Sequence, residues 1–241
     1  MVRAASDQIY ADLKQQIESG EIAYGDLLPS QARLVEKYKC AHNTARKAIA
    51  KLTSLGYCLP IHGKGVRIIW KPRNEAIAYG LNTIDTFTDS AQRVGFDAAT
   101  KVMVFEPVVT DEELTARTGF RVGTELLHID RIRLLDGKAI ARDDSYFRAS
   151  SVEGITQNDA EQSVYAYVSE QLGMKFVTRK RNIIMEHTSD TDREWLDVDG
   201  CSHLVLIKSH TYGKDGILFE YTESHVSPDV FFFSDTVVCN R

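Results

Sequence analysis

The sequence predicts an α+β protein in two parts: three short helices closed by a hairpin, then a larger domain built on an antiparallel sheet. Three observations predict it. Apolar residues recur at helical spacing as far as Leu55, and alternating strand-like segments follow Lys101, two pairs of them joined by Asp-Gly turns. The charge also divides along the chain. Residues 1–73 carry 12 Lys and Arg against 6 Asp and Glu, while the remainder carries 17 against 28. A net charge of −5 over 241 residues therefore conceals a basic module joined to an acidic one.

The first helix is read from Ile9, Leu13 and Ile17, with Ser6 or Asp7 as its cap and Gly20 as its end. Pro29 excludes a helix interior, and Ser30 after it is a natural N-cap for a second helix carrying Leu34, Val35 and Tyr38. A third helix, about His42 to Leu55, has its apolar stripe at Ala45, Ala48, Ile49, Leu52 and Leu55, and Gly56 ends it. Two extended pieces, Tyr57–Ile61 and Val66–Trp70, meet at His62-Gly63-Lys64-Gly65. This is the outline of a winged helix-turn-helix in residues 1–70. The third helix turns Asn43, Arg46, Lys47 and Lys51 away from its apolar stripe, and a helix of that size fits the major groove of DNA. A solvated basic face would explain the helix alone; the hairpin, the charge division and the spacing together favour DNA.

Residues 71–79 read as a linker around Pro72 and Asn74, and residues 80–241 as the second domain. Strands are expected at Lys101–Pro107, Glu125–Leu135, Ala139–Phe147, Phe176–Glu186, His203–Tyr212 and Ile217–His225. Asp136-Gly137 and Asp215-Gly216 are the hairpin turns. Helices are expected near Thr88–Val94, Asp111–Thr118, Glu161–Leu172 and Asp190–Leu196, the last opened by a Ser189/Asp192 capping box. Arg131 and Arg133 lie two apart and so share one strand face. They suit an anion clamp, or an ion pair with Asp143 or Asp144 across the hairpin. Thr88, and Ser163 with Tyr165, stand early in helices, where anion binding and simple capping compete. Glu223 beside Tyr221 is a candidate acceptor for sugar hydroxyls, or a surface charge.

The N-terminal residues carry a family resemblance. Gly25-Asp26-Leu27-Leu28-Pro29-Ser30, Leu34, Asn43-Thr44-Ala45-Arg46-Lys47-Ala48, Leu55-Gly56-Tyr57 and Gly63-Lys64-Gly65 resemble the GntR-type bacterial transcription regulators, in order and without gaps. The resemblance implies DNA contacts by Thr44, Arg46, Gly63, Lys64 and Gly65, with Arg33, His42, Asn43 and Lys47 beside them. Gln31-Ala32-Arg33 and Cys40-Ala41-His42 depart from the customary Glu-Arg-Glu and Val-Ser-Arg, which puts Ala32 and His42 where arginines are usual. Residues of about 80–236 are similar to the UTRA effector-binding domain of the HutC subfamily, which has the fold of chorismate lyase. The matching elements are Phe87-Thr88-Asp89, Arg131-x-Arg133, Asp144-Ser145-Tyr146, Ser163-Val164-Tyr165 and Tyr221-Thr222-Glu223-Ser224. That resemblance implies a phosphate set of Phe87, Thr88, Arg131, Arg133, Ser163 and Tyr165. It implies a sugar set of Asp144, Tyr146, Tyr221 and Glu223. The closing stretch from Lys208 to Asp235 is similar to trehalose-operon repressors, which implies trehalose 6-phosphate as effector.

The function expected is a cytoplasmic, homodimeric repressor that releases a palindromic double-stranded DNA operator when a sugar phosphate binds, hinged at the linker. The alternatives are an amino-sugar phosphate or organic acid as effector, or a chorismate lyase-like enzyme. The last is disfavoured by the fused winged helix. The seven histidines show no metal-binding spacing, and Cys40, Cys58, Cys201 and Cys239 show neither a disulfide nor a zinc pattern, so neither metal nor cofactor is expected. No apolar run reaches the roughly 18 residues of a membrane span.

Overall fold

The structure is a computed structural model that describes residues 5–71, 87, 91 and 95–233. They divide into two compact units.

The first unit holds α1 (Ala5–Glu18), α2 (Gln31–Tyr38), α3 (His42–Ser54) and the antiparallel pair β1 (Cys58–Ile61) and β2 (Gly65–Ile68). One core joins them: Ile9, Leu13 and Ile17 of α1, Leu34 of α2, and Ala45, Ala48, Ile49 and Leu52 of α3. Ser30 caps α2 as expected, its hydroxyl accepting from the Arg33 amide. Ser6 and Asp7 do not cap α1, because that helix is already formed at Ala5. Leu55 is not core but the exposed C-cap of α3. Gly56 and Gly63 take the left-handed conformations (φ +75° and +70°) that let the chain reverse into β1 and around the wing.

The second unit is a six-stranded antiparallel sheet. Its strands are β3 (Ala98–Val109), β4 (Glu125–Leu135), β5 (Lys138–Arg148), β6 (Phe176–His187), β7 (His203–Gly213) and β8 (Leu218–Val226), in the order β3-β4-β5-β8-β7-β6. At the β4–β5 turn Asp136 and Gly137 both have positive φ (48° and 80°), the geometry whose twist matches a hairpin. Among the elements whose bounds are described, the helices flanking the sheet are α4 (Glu112–Thr118), α5 (Gln157–Gln162), α6 (Val164–Glu170) and α7 (Asp190–Trp195). The expected helix at Glu161–Leu172 is in fact two. Ser163 is extended (φ −168°, ψ 112°) and caps α6, which interrupts the helix with neither Pro nor Gly in the sequence to announce it. The expected linker after Lys71, and the helix at 88–94 apart from Ala91, lie outside the described residues.

Both sheet faces are covered, and each carries a polar belt between two apolar clusters. On one face, Ile129, Phe147 and Val164 pack at one end and Ala141, Ile207 and Val226 at the other. On the opposite face, Phe120, Leu126, Tyr146 and Tyr221 pack at one end and Ile132, Leu196 and Leu204 at the other.

Candidate nucleic-acid interface and effector site

In the first unit α3 presents His42, Asn43, Arg46 and Lys47 to solvent, with Thr44 half-buried. Arg33 is exposed on α2, and Gly63, Lys64 and Gly65 form the exposed wing tip. The structure thus leaves every expected DNA-facing residue accessible. Arg46 Nη2 donates to Asn43 Oδ1 at 2.9 Å, one helical turn away, which aims the guanidinium before any DNA is present. Lys51 is a correction. It pairs with Asp7 at 2.9 Å and lies over the Tyr10 ring, so it ties α3 to α1. Ala41 supplies no side-chain cap, so the first amides of α3 face outward unsatisfied by a neighbouring side chain.

In the second unit the ladder register decides which residues meet. Arg131 stands opposite Asp143, Asp143 opposite Ser224, and Ser145 opposite Thr222; Thr222 in turn is opposite Ser209, and Ser209 opposite Arg181. Arg131, Arg133, Asp143, Ser145, Glu220, Thr222, Ser224, Thr211, Arg179 and Arg181 therefore share one face. Their contacts agree. Arg133 Nε donates to Asp143 at 2.8 Å and its Nη1 to Thr100 at 2.8 Å. Ser224 donates to the other Asp143 oxygen at 2.6 Å. Thr222 Oγ1 lies 3.0 Å from Ser145 Oγ and donates to Glu220 at 2.8 Å. Thr211 and Tyr165 also donate to Glu220, and Arg179 Nε donates to Thr211 at 3.0 Å.

Arg131 is the exception in this network. It is 3% exposed; among the described residues its only side-chain hydrogen bond is a long one to Ser145 (3.3 Å), and its buried Nε has no partner there. Burial, and then Arg133, pull its pKa down to about 10, which leaves it charged at neutral pH. Burial and Arg179 do the same to Arg181. Burial would raise Asp143, but Arg133 and Arg131 hold it below the usual carboxylate range. Four guanidinium groups and two carboxylates on one sheet face leave an excess of positive charge in an otherwise acidic domain. Phe87 joins this group, its ring 5.4 Å from the Arg133 guanidinium.

Thr88 lies outside the described residues. Ser163 accepts from the Ala166 amide at 3.1 Å as the cap of α6, and no hydrogen bond joins it to either arginine. Tyr165 does reach the belt, through Glu220.

Asp144, Tyr146, Tyr221 and Glu223 require the larger correction. They project from the opposite face, so they cannot share one ligand with the arginine pair. There Asp144 accepts from Arg117 (2.6 Å) and contacts His128 (2.8 Å); Glu223 accepts from Arg117, from Tyr221 (2.6 Å) and from Lys208 (3.0 Å). Arg117 also reaches the Tyr146 hydroxyl, and together these contacts fasten α4 to the sheet. Burial would raise Asp144, but the His128 hydrogen bond and Arg117 hold it down to about 2. His128, Asp130 and Asp144 approach within 4.8 Å in a grouping that could ligate a metal. Arg142 already grips Asp130 with two nitrogens, and Arg117 grips Asp144, so guanidinium groups occupy the places a cation would take.

The sequence reading offered Asp143 only as an ion-pair partner of the arginines, a pair that Arg133 makes, and it missed Glu220, Thr222, Ser224, Arg179 and Arg181 as site residues. The alternation of β5 and β8 could have placed Asp143 with Glu220, Thr222 and Ser224, given the register that joins them.

Comparison with known proteins matches both units. The gntR family of bacterial regulatory proteins covers residues 5–68, and the UTRA domain covers residues 93–231. The HTH-type transcriptional regulator TreR of Bacillus subtilis is 31% identical over 227 residues, which span 94% of each chain. The HTH-type transcriptional repressor NagR of the same organism is 24% identical, spanning 94% of this chain and 91% of its own. Among solved structures, YydK from Bacillus subtilis superposes with a TM-score of 0.79 over 98% of this chain and 100% of its own at 19% identity, a likeness of fold. The effector-binding domain of the Bacillus subtilis trehalose repressor superposes with a TM-score of 0.54 at 29% identity, over 59% of this chain and 99% of its own. The α3 surface, the wing and these matches together place the chain in the gntR family of transcription regulators, with a UTRA domain, and not among enzymes.

Proposed function

We propose that the protein is a cytoplasmic repressor of a sugar-utilisation operon, released from its DNA by a phosphorylated sugar, with trehalose 6-phosphate the best candidate. Arg131 carries the reading. A buried guanidinium with an unpartnered Nε beside a second arginine suits an anion that can accept several hydrogen bonds at once. Phosphate is held at Arg131 and Arg133 beside Phe87, with Tyr165 reaching the same belt, and the family resemblance adds Ser163 and Thr88 to this set. Sugar hydroxyls are accepted by Asp143 and Glu220 and paired by Ser145, Thr222 and Ser224, in place of the set on the opposite face. The similarity to TreR supports trehalose 6-phosphate among sugar phosphates.

DNA is read by α3 and the wing. Arg46, oriented by Asn43, reaches base edges or phosphates with Thr44, His42, Lys47 and Arg33, and Lys64 reaches an adjacent backbone. A palindromic operator requires two copies. The edge strand β6 offers a surface for that pairing, since Val177, Ile184 and Met185 stand exposed on an unpaired ladder. The effector acts by preferring a dimer whose two heads are wrongly spaced for DNA. No described helix is long and apolar enough to cross a membrane.

The test is a calorimetric and thermal-shift comparison of trehalose 6-phosphate, glucosamine 6-phosphate and organic acids on the full chain. Saturable binding of a sugar phosphate, lost in Arg131→Met, supports the reading. Binding of an organic acid alone overturns it.

A further inference from the structure

We propose that His187 and His203 form a binding site for one divalent transition-metal ion at the end of the β6–β7 ladder. The site is separate from the arginine belt and does not depend on the sugar-phosphate reading.

The strand register brings the two histidines together. They lie far apart in the sequence and show none of the short spacings by which metal sites are read from a chain. On the ladder they stand directly opposite each other, in the last row that β6 and β7 share. In the next pair the Thr188 amide donates to the Ser202 carbonyl at 3.1 Å. His187 and His203 are therefore a non-hydrogen-bonded pair, the kind whose Cα atoms approach to about 4.5 Å and whose side chains lie closest. Their ring centres are 4.1 Å apart, with the planes tilted by 35°. A metal ion holds imidazole nitrogens at about 2.0–2.1 Å, so two nitrogens about 3 Å apart serve one ion. Rings at this separation bring one nitrogen each to that distance by a small rotation of the side chains.

The surroundings favour a metal over an ion pair. His128 and His225 each face a carboxylate, Asp144 at 2.8 Å and Asp192 at 3.3 Å. Among the described residues, no carboxylate pairs with His187 or His203. The Ser202 hydroxyl lies 2.9 Å from His203 Nδ1, which orients the ring and leaves Nε2 for an ion, as the outer partner of a metal-bound imidazole commonly does. His187 is exposed and His203 half-buried, so an ion and its remaining waters have access. Two imidazoles without a carboxylate suit Cu²⁺, Ni²⁺ and Zn²⁺, and offer nothing that Mg²⁺ or Ca²⁺ prefers. The pair shares a sheet face with Arg181, but two rows stand between them, Met185 with Val205 and Ile183 with Ile207, a distance of about 20 Å. Among the described strands β6 is an edge and pairs with β7 alone. An ion bridging the last row staples that edge strand to its neighbour.

Calorimetry and thermal melts on the full-length protein without an affinity tag test this, with Ni²⁺ and Mg²⁺ as probes. Wild type is expected to take up one Ni²⁺ per chain and no Mg²⁺, and Ni²⁺ is expected to raise the melting temperature, as an ion held only by the folded chain must. His187→Ala and His203→Ala should each weaken Ni²⁺ binding about 100-fold, the worth of the second arm of a chelate, and remove the thermal shift. His128→Gln should leave both unchanged. Absence of Ni²⁺ binding by wild type overturns the proposal, as does binding that both alanine variants retain or that His128→Gln removes. Equal binding of Mg²⁺ would mark a carboxylate site and overturn it too.

Discussion

Arg131 sits where a charge is costly to keep. It is almost wholly buried, has no partner at Nε among the described residues, and remains ionised at neutral pH. Incompletely paired buried charges destabilise a fold by several kcal/mol. Arg131→Met should therefore leave the melting temperature of the unliganded protein unchanged or raise it. The same change should weaken sugar-phosphate binding about 10- to 100-fold, the worth of a hydrogen-bonded charge. Calorimetry and thermal melts on one preparation read both effects. His128, on the opposite face, gives a prediction in pH. Burial would lower its pKa, but the Asp144 hydrogen bond and charge raise it above the ordinary value. Its contribution to stability is then complete below about pH 6.5 and is lost as pH rises through the higher folded value. The urea-midpoint difference between wild type and His128→Gln should shrink between about pH 6 and about pH 8. A constant difference would show that His128 acts by packing on Tyr146 and not by charge. At the DNA surface, Arg46→Ala should reduce operator affinity by about 1–3 kcal/mol in fluorescence anisotropy.

The elements show what local pattern reveals and where it stops. Alternation and Asp-Gly turns marked all six strands to within a few residues, because period-two burial is written directly into the chain. Which face each residue takes was not written there. Counted back from the Asp136-Gly137 turn without interruption, Arg131 would oppose Arg142, and Asp144 and Tyr146 would share its face. A bulge at Ile140 adds one residue to β5, so Arg131 opposes Asp143 and the parity of every later residue inverts. The sugar set implied by the family resemblance takes no account of this parity, which puts Asp144 and Tyr146 on the face opposite Arg131. The adjacent carboxylates Asp143 and Asp144 then serve different faces, one beside the arginines and one holding Arg117 of α4. Asp144→Asn should loosen α4, seen as faster amide exchange in Glu112–Thr118, with little change in sugar-phosphate affinity. The break at Ser163 was hidden for a related reason. A serine inside a helical pattern signals a cap only once a helix is known to start after it. Ser163→Ala should cost about 1 kcal/mol of stability, through loss of the α6 cap.

At the scale of the whole molecule, the division of charge proved the most legible feature. The basic part carries the reading helix, and the acidic part encloses a cationic belt. Operator affinity should fall steeply with salt, as counterion release from phosphate contacts requires. Sugar-phosphate affinity should fall much less, because its arginines are buried from the ionic atmosphere. The central claim is that occupation of the Arg131 belt releases DNA. It is tested most directly by fluorescence anisotropy of a labelled operator, selected from a random pool by the protein itself, titrated with trehalose 6-phosphate. Wild type should release the operator, and Arg131→Met should bind it equally well and retain it at the same effector concentrations. Retention by wild type, or equal release from both proteins, would contradict the account.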